Sequence, residues 1–290
     1  MDLRVLEYFL MVAREENVSH AAELLHVSQP TISRQLMQLE DEVGKTLFIR
    51  GNKSMTLTKE GLLFKNRAEE ILSLYQKAVS ELSQDQEISG EIVIGSGETD
   101  AFYYLADLVA EFQKKYPKVQ FHMISGDSDT IKENVDKGLA DIGFLFEPVN
   151  IEKYAFKKTN IEERWGVLML PDHPLAAHDD ITADDLVHEK LICPRRMSFQ
   201  SEIYQWFGKQ ADDMYIAATY NLINMAMMMT QKHIGITLCI EKSIYQDMHL
   251  RFVPLQPKII SKPIFIWKHQ NIFSLAMEAF IAFISDSKFE

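Results

Sequence analysis

Apolar and polar positions divide the chain into a helical opening, one long seam and a stretch of alternating strands and helices. Leu3, Leu6, Phe9, Leu10 and Ala13 recur at helical spacing and predict a helix over roughly Asp2–Glu16. "NVSH" makes a turn, and Ser19 is the expected cap of a brief helix holding Ala21, Ala22, Leu24 and Leu25. After "HVS" comes "VSQPTISRQLMQLEDEVG", a third helix with Ser28 as its cap, Pro30 in its first turn and Gly44 at its end. Two short helices joined by a tight turn form a helix-turn-helix.

The third helix has a definite inside. Ile32, Leu36, Leu39 and Val43 fall on one apolar stripe. At about 100° per residue, Pro30, Arg34, Met37 and Gln38 lie opposite, with Gln29, Thr31, Ser33 and Gln35 between them or near the first turn. The outward side offers a guanidinium, amides and hydroxyls, and no acid before Glu40. A merely soluble face mixes Glu with Lys, whereas this set matches base edges and phosphates. In "TLFIRGNKSMTLT", Leu47–Arg50 and Ser54–Thr58 read as strands around "GNK", with Arg50 and Lys53 near the tip. A basic hairpin directly after such a helix is a wing, suited to backbone phosphate or the minor groove.

From Thr58 the pattern becomes a long helix. Phe64, Ala68, Ile71, Tyr75, Ala78 and Leu82 make a heptad seam, widened by Leu72 and Val79. Such a helix packs on its own domain or pairs with a second copy. The regularity of the seam favours pairing. "SQDQEISG" follows as a polar linker ending at Gly90. The remainder alternates: strand "EIVIG", helix Ala101–Tyr116, strand "VQFHMI", helix Ser128–Gly138 and strand "DIGFLF". A second unit follows, from "ERWGVLML" through "KLIC", "YIAAT", a Met-rich helix and "GITLC". The chain closes with "KPIFIWKH" and the helix Ser274–Ile284. Alternation of this kind indicates parallel sheets, and two α/β lobes joined by crossing segments leave a cleft for a small molecule. The expected fold is therefore α+β multidomain. A winged helix-turn-helix spans 1–58, a linker and dimerisation helix 59–89, and a two-lobed α/β domain 90–290, with lobe I at about 90–161 and 267–290 and lobe II at about 162–266.

Charge sharpens this division. The net charge of −12 argues against nucleic acid for the chain as a whole, but residues 1–67 balance to zero and 28–67 carry +3. The positive footprint thus begins at the third helix. Apolar residues at 47% and charged residues at 25% place the chain among globular rather than disordered proteins. No apolar run reaches the roughly 18 residues of a membrane span. Acidic residues interrupt "MDLRVLEYFLMVAREEN", which lacks the layout of a signal peptide, so a cytoplasmic location is expected. Cys193 and Cys239 sit at strand-like apolar positions and are expected to be buried and inert. "NMAMMM" reads as flexible core filling. His173 and His178 lack a third ligand in sequence reach, and no nucleophile elbow, P-loop or HExxH occurs. No metal, cofactor or catalytic group is expected, and hence no enzyme.

"SHAAELLHVSQPTISRQLMQLEDEVGKTLFIRGNKSMTLTKEG", Ser19–Gly61, resembles the winged helix-turn-helix of the LysR-type transcriptional regulators almost position by position. "LMLPDHPLA", Leu168–Ala176, and "GIT", Gly235–Thr237, are weaker matches to that family's effector domain, which is two-lobed like a periplasmic binding protein. The resemblance implies a cytoplasmic regulator that binds a double-stranded DNA operator as a homodimer or homotetramer, answers to a small-molecule effector, and meets RNA polymerase if it activates. By position, Ser28, Gln29, Pro30, Thr31, Ser33, Arg34 and Gln38 would meet DNA from the recognition helix. Arg50, Lys53, Thr56 and Thr58 would belong to the wing and its return strand. Arg34 can grip guanine bidentately or clamp a phosphate.

For the effector, the resemblance points to the loop in "IGSGETDA", with Ser96, Gly97, Glu98 and Thr99, where a Ser or Thr commonly meets an effector carboxylate. Glu98 departs from a simple anion site: it either faces solvent or binds an amine. Ser125, then Phe146 and Pro148, follow the next two strands. From the second lobe, "CPRRMSFQ" offers Arg195, Arg196, Ser198 and Phe199, with Asn221, Gly235 and Ile236 closing the cleft; both arginines could instead cover the surface or pair with nearby acids. Two other classes remain open on the residues alone. A cytoplasmic solute-binding protein with a helical dimerisation module needs no DNA-reading face. An enzyme needs an acid–base pair in the cleft.

Overall fold

The computed structural model describes residues 2–51, 54–82, 88–147, 151–195, 205–269 and 273–287. The chain forms two compact units, Met1–Ser83 and Gln84–Glu290.

In the first unit, α1 (Leu3–Glu15), α2 (Val18–Leu24) and α3 (Gln29–Val43) precede a hairpin of β1 (Phe48–Arg50) and β2 (Met55–Leu57), and α4 (Lys59–Leu82) follows. The α1 stripe is rotated slightly from expectation: Val5, Leu6, Phe9 and Val12 are buried, and Leu3, Leu10 and Ala13 flank them. The cap of α2 is Asn17 rather than Ser19. Its Oδ1 accepts from Ser19 N at 2.9 Å and His20 N at 3.1 Å, so Ser19 is already inside the helix. On α3, Ile32, Leu36 and Leu39 are buried as expected, but Val43 in the last turn is 39% exposed. Phe9 joins the layers, its ring 5.1 Å from both Phe48 of the hairpin and Phe64 of α4.

The α4 seam splits. Phe64, Ala68 and Leu72 complete the core of the first unit, while Ile71, Leu74, Tyr75 and Val79 are 40–50% exposed. A helix that packs on its own domain rotates at 3.6 residues per turn, so a 3.5-residue seam cannot stay on one side of it. Gly61 lets α4 pass the hairpin, because a Cβ there would overlap the Leu47 carbonyl oxygen.

The second unit holds two sheets. One has the order β4–β3–β5–β13–β6 and is built from β3 (Gly90–Ser96), β4 (Val119–Ser125), β5 (Ile142–Phe146), β6 (Tyr154–Lys158) and β13 (Pro263–Lys268). Strands β3, β4 and β5 are parallel; β13 runs antiparallel between β5 and β6. Helix α5 (Ala101–Lys115) and the closing helix α9 (Leu275–Asp286) cover the face that carries Phe144 and Phe265. Helix α6 (Ser128–Lys137) covers the other with Ile131 and Val135. All five residues of β5 are buried, as a strand covered on both faces requires.

The other sheet has the order β11–β7–β10–β8–β9, made by β7 (Glu163–Met169), β8 (Lys190–Pro194), β9 (Tyr215–Tyr220), β10 (Ile236–Ile240) and β11 (Arg251–Pro254). Short α7 (Ala183–Leu186) lies on one side, and the Met-rich α8 (Ile223–Gln231) on the other. In α8, Met227 fills core as expected, but Met225 and Met228 are exposed. Cys193 and Cys239 are free and buried, and burial pushes both thiols up to about 12.

The chain crosses between lobes twice, and the crossings pair with each other. Strand β12 (Ile260–Ser261) lies antiparallel to Arg164 and Glu163. Thr159 Oγ1 donates to Pro263 O at 2.7 Å. The return crossing is therefore complete by Pro263, not at 267: all of β13 belongs to the first lobe's sheet.

Replacing Gly61 with Ala is expected to destabilise the first unit by about 1–3 kcal/mol, the usual cost of forcing atoms into a packed contact. Urea denaturation of the full chain measures it. An unchanged midpoint would show that α4 moves off the hairpin freely.

Candidate functional site

The first candidate surface is built on α3. Ser28 fixes its start: Oγ accepts from Thr31 N at 3.4 Å and lies 2.8 Å from Thr31 Oγ1. Gly44 fixes its stop, at φ +69°. Burial of Ile32, Leu36 and Leu39 then leaves Ser28, Gln29, Pro30, Thr31, Arg34 and Gln38 exposed, with Ser33 half-buried. Gln29 Nε2 donates to Ser33 Oγ at 3.0 Å, and Gln38 Nε2 to Glu42 Oε1 at 3.2 Å. Arg34 is exposed and has no ion-pair partner among the described residues.

One carboxylate, passed over in the sequence, welds the wing to this helix. Glu40 Oε1 accepts from Leu47 N at 2.7 Å and Phe48 N at 3.0 Å, and Oε2 faces Arg50 Nη2 at 3.4 Å. The first acid on α3 is thus turned away from the recognition face. Its position, about 80° from the buried stripe, was the available signal. Gln29, Ser33, Arg50, Gly51 and Ser54 line a single groove together with Asn17–Ser19. Thr56 is exposed on β2. Thr58 has a structural task instead: its hydroxyl donates to Thr46 O at 2.8 Å and accepts from Gly61 N at 2.9 Å, starting α4. Lys53 lies outside the described residues.

The second candidate site is the cleft between the lobes of the second unit. It gathers the carboxyl ends of all six parallel strands, where backbone amides and loop side chains converge. The first lobe supplies Gly97, Glu98, Thr99, Gly126, Asp127, Ser128, Leu145 and Phe146. The second supplies Trp165, Pro194, Arg195, Tyr220–Ile223, Cys239, Ile240, Lys242 and Tyr245. The space, including its mouth, is about 780 Å³.

Of the expected residues, Gly97, Glu98, Thr99, Phe146 and Asn221 line the cleft. Ser96 does not: it is buried, and its Oγ donates to Gly97 O at 3.0 Å. Ser125, the exposed last residue of β4, is outside the lining, which begins one residue later at Gly126. Gly235 and Ile236 are also corrected. They sit at the start of β10, where Gly235 packs against the Lys190 carbonyl, and the cleft meets that strand's other end at Cys239 and Ile240. Pro148, Arg196, Ser198 and Phe199 lie outside the described residues. Trp165, Lys242 and Tyr245 were missed because the crossing of the lobes, not a local motif, brings them in.

Most polar tips around the cleft are engaged. Trp165 Nε1 donates to Ser261 Oγ at 2.9 Å, Tyr220 OH to Leu238 O at 2.9 Å, and Tyr245 OH to Ile240 O at 2.7 Å. Asp127 Oδ1 accepts from Thr130 N at 2.9 Å. Glu98 differs from these: its Oε2 is shut from solvent and has no hydrogen-bond partner.

Behind the same loop, Glu163 of the crossing strand caps a helix of the other sheet. It accepts from Ala101 N at 2.6 Å, at the start of α5, and from the Thr99 side chain. It is 7% exposed, and Oε2 again has no partner. Burial pushes its carboxyl up to about 7. The charge of Asp100 adds to the rise, and the Ala101 amide, Thr99 and Lys242 oppose it. Asp100 itself bridges the lobes, accepting from Ser243 N at 2.6 Å.

A helix-turn-helix surface and a ligand cleft on one polypeptide form the organisation of a transcriptional regulator that senses a small molecule. Residues 3–62 match the description "Bacterial regulatory helix-turn-helix protein, lysR family", and residues 85–288 match "LysR substrate binding domain". The chain belongs to the LysR family. It is 25% identical to the regulator YvbU of Bacillus subtilis over 94% of this chain and 99% of that one. It is 31% identical to the activator IlvY of Salmonella typhimurium over 63% and 62%. The fold is that of full-length CbnR complexed with its target DNA, with a TM-score of 0.73 at 21% identity, covering 98% of this chain and 99% of that one. No helix among the described residues is long and apolar enough to cross a membrane.

The raised carboxyl of Glu163 gives a signed pH dependence. Below its ordinary value of 4.5 it is neutral both folded and unfolded, so it costs nothing there. As pH rises from 4.5 through about 7 the unfolded chain releases the proton first, and stability is lost. Glu163→Gln removes that loss. Relative to wild type, it is expected to gain up to roughly 3 kcal/mol at pH 8 and little at pH 4.5. Denaturation at both pH values measures the difference.

Proposed function

We propose that this regulator binds a dyad-symmetric operator as a dimer, through α3 and the wing, and that a small molecule in the interlobe cleft shifts the arrangement of its DNA-binding heads. The observation that carries this reading is the outward face of α3, where Arg34 stands exposed among amides and hydroxyls while the nearest acid, Glu40, is turned back to the wing. Arg50 and the exposed Thr56 extend that face along the hairpin, which suits phosphate contact. CbnR, whose fold this chain shares, is complexed with target DNA, which supports DNA as the partner here. The chain acts by binding rather than by catalysis, in the cytoplasm. Where it activates, RNA polymerase is a further partner.

Dimerisation follows from α4. Ile71, Leu74, Tyr75 and Val79 leave a run of large apolar side chains uncovered on a helix whose other face is already packed. A second copy of the helix covers them. The effector must bind one arrangement of heads better than the other, since equal affinity shifts nothing.

Two measurements test this. Arg34→Ala is expected to weaken binding to a fragment of the protein's own promoter region by roughly 5- to 150-fold, the equivalent of the roughly 1–3 kcal/mol of a good bidentate contact. Fluorescence anisotropy reads it, and wild-type binding should fall steeply with added salt. Unchanged affinity in the variant would remove α3 as the recognition helix. Glu substituted at both Leu74 and Tyr75 is expected to yield a monomer in sedimentation and to lose operator binding together with the dimer.

A further inference from the structure

We propose that the interlobe cleft takes a free amino acid with an apolar side chain, its ammonium received by Glu98 on one lobe and its carboxylate by Arg195 and Lys242 on the other. This deepens the effector reading above and rests on it. The first observation is the Glu98 carboxylate itself, in a cleft-lining loop, with one oxygen cut off from water and given no donor. A polar atom so placed costs about 1–3 kcal/mol, and more when charged, until a donor arrives. The indole N–H of Trp165 and the hydroxyls of Tyr220 and Tyr245 are spent on Ser261 and on backbone carbonyls. Arg195 and Lys242, on the other lobe, do not bond that oxygen. A ligand's ammonium supplies the missing donor.

The second observation is the distribution of charge. The cleft is acidic on the first lobe at Glu98 and basic on the second at Arg195 and Lys242. A plain carboxylate ligand would lie against Glu98 and be repelled. A plain amine would lie against the two cations. A zwitterion meets an opposite charge on each wall, and so draws the lobes together. Rejection of near-analogues by a built-in like charge is a common route to specificity. Leu145 and Phe146 from the first lobe and Ile223 from the second add apolar lining that a side chain can meet. The cavity itself measures about 120 Å³, room for a single small molecule.

Calorimetric titration of the full-length protein tests the proposal. The probes are the common L-amino acids and, for each that binds, its deaminated acid and its amide. An apolar amino acid is expected to bind, with both analogues at least tenfold weaker. Glu98→Gln is expected to weaken the amino acid at least tenfold and leave the deaminated acid unchanged or tighter. Without ligand, the same variant should melt higher than wild type, because it no longer buries an unpartnered carboxylate oxygen. A deaminated acid that binds wild type as tightly as its amino acid overturns the proposal, as does undiminished amino-acid binding by the variant, or no binding by any amino acid. Gly97→Leu separates this failure from failure of the cleft as effector site. A Cβ at Gly97 meets nothing closer than Phe146 Cε2 at 3.9 Å, so the new side chain enters the cleft without strain. Binding of any probe that survives Gly97→Leu lies elsewhere, and it is then the effector reading that falls.

Discussion

The DNA-facing surface depends on three side chains that do not face it. Ile32, Leu36 and Leu39 are essentially without solvent contact, and burying each such side chain stabilises the fold by about 1.5–3 kcal/mol. The polar bonds on the outer face, Gln29 to Ser33 and Gln38 to Glu42, are exposed and far weaker. Burial therefore decides the rotation of α3 about its axis, and the outer face follows from it. The same rotation aims Glu40 at the two wing amides, so one stripe of apolar residues sets both the recognition helix and the strand pair beside it. A turn of one residue, about 100°, would bring Arg34 toward the core and release the wing together.

This explains what could be read in the sequence and what could not. The helices of the first unit were legible because their period is local and the start and stop of α3 are written in single residues, Ser28 and Gly44. The α4 seam was legible as a seam but not as to its partner. Phe64, Ala68 and Leu72 turned out to belong to the chain's own core, and only the neighbouring side is left for another copy. Spacing identifies an apolar stripe; it does not say what covers each part of it. Likewise "KPIFIWKH" was plainly a strand, yet its sheet could not be assigned. Pairing with β5 and β6 is a long-range choice that leaves no mark in the segment itself. Strands β6, β11 and β12 were missed because two to five residues carry too little period to stand out.

The cleft shows the same boundary. Loops after strand ends were recognisable, so Gly97, Glu98, Thr99 and Phe146 could be named. Within such a loop, the side chain that points inward depends on register, and a shift of one residue separates Ser125 from the lining. The second lobe's contribution was the least legible. Trp165 and the pair Lys242 and Tyr245 come from two segments far apart in the chain that meet only because the lobes are crossed. A match at Gly235–Thr237 marked a packing position against Lys190, not a binding one.

Glu98 and Glu163 gain meaning from being considered together. Each has a carboxylate oxygen without a partner, and both act on the β3–α5 loop: Glu98 belongs to it, and Glu163 holds it through Thr99 and Ala101. Glu163 belongs to the segment that joins the lobes and pairs there with Ser261. A ligand that draws on Glu98 or Thr99 therefore pulls on the loop that Glu163 of the crossing strand holds at Thr99 and Ala101. Nothing more distant is needed to link occupancy of the cleft to the angle between lobes. A well-satisfied loop would gain little from a ligand in either arrangement. Unsatisfied oxygens on the loop and at its anchor give a ligand something to gain, and the shift it drives equals the difference in that gain between the two arrangements of the lobes.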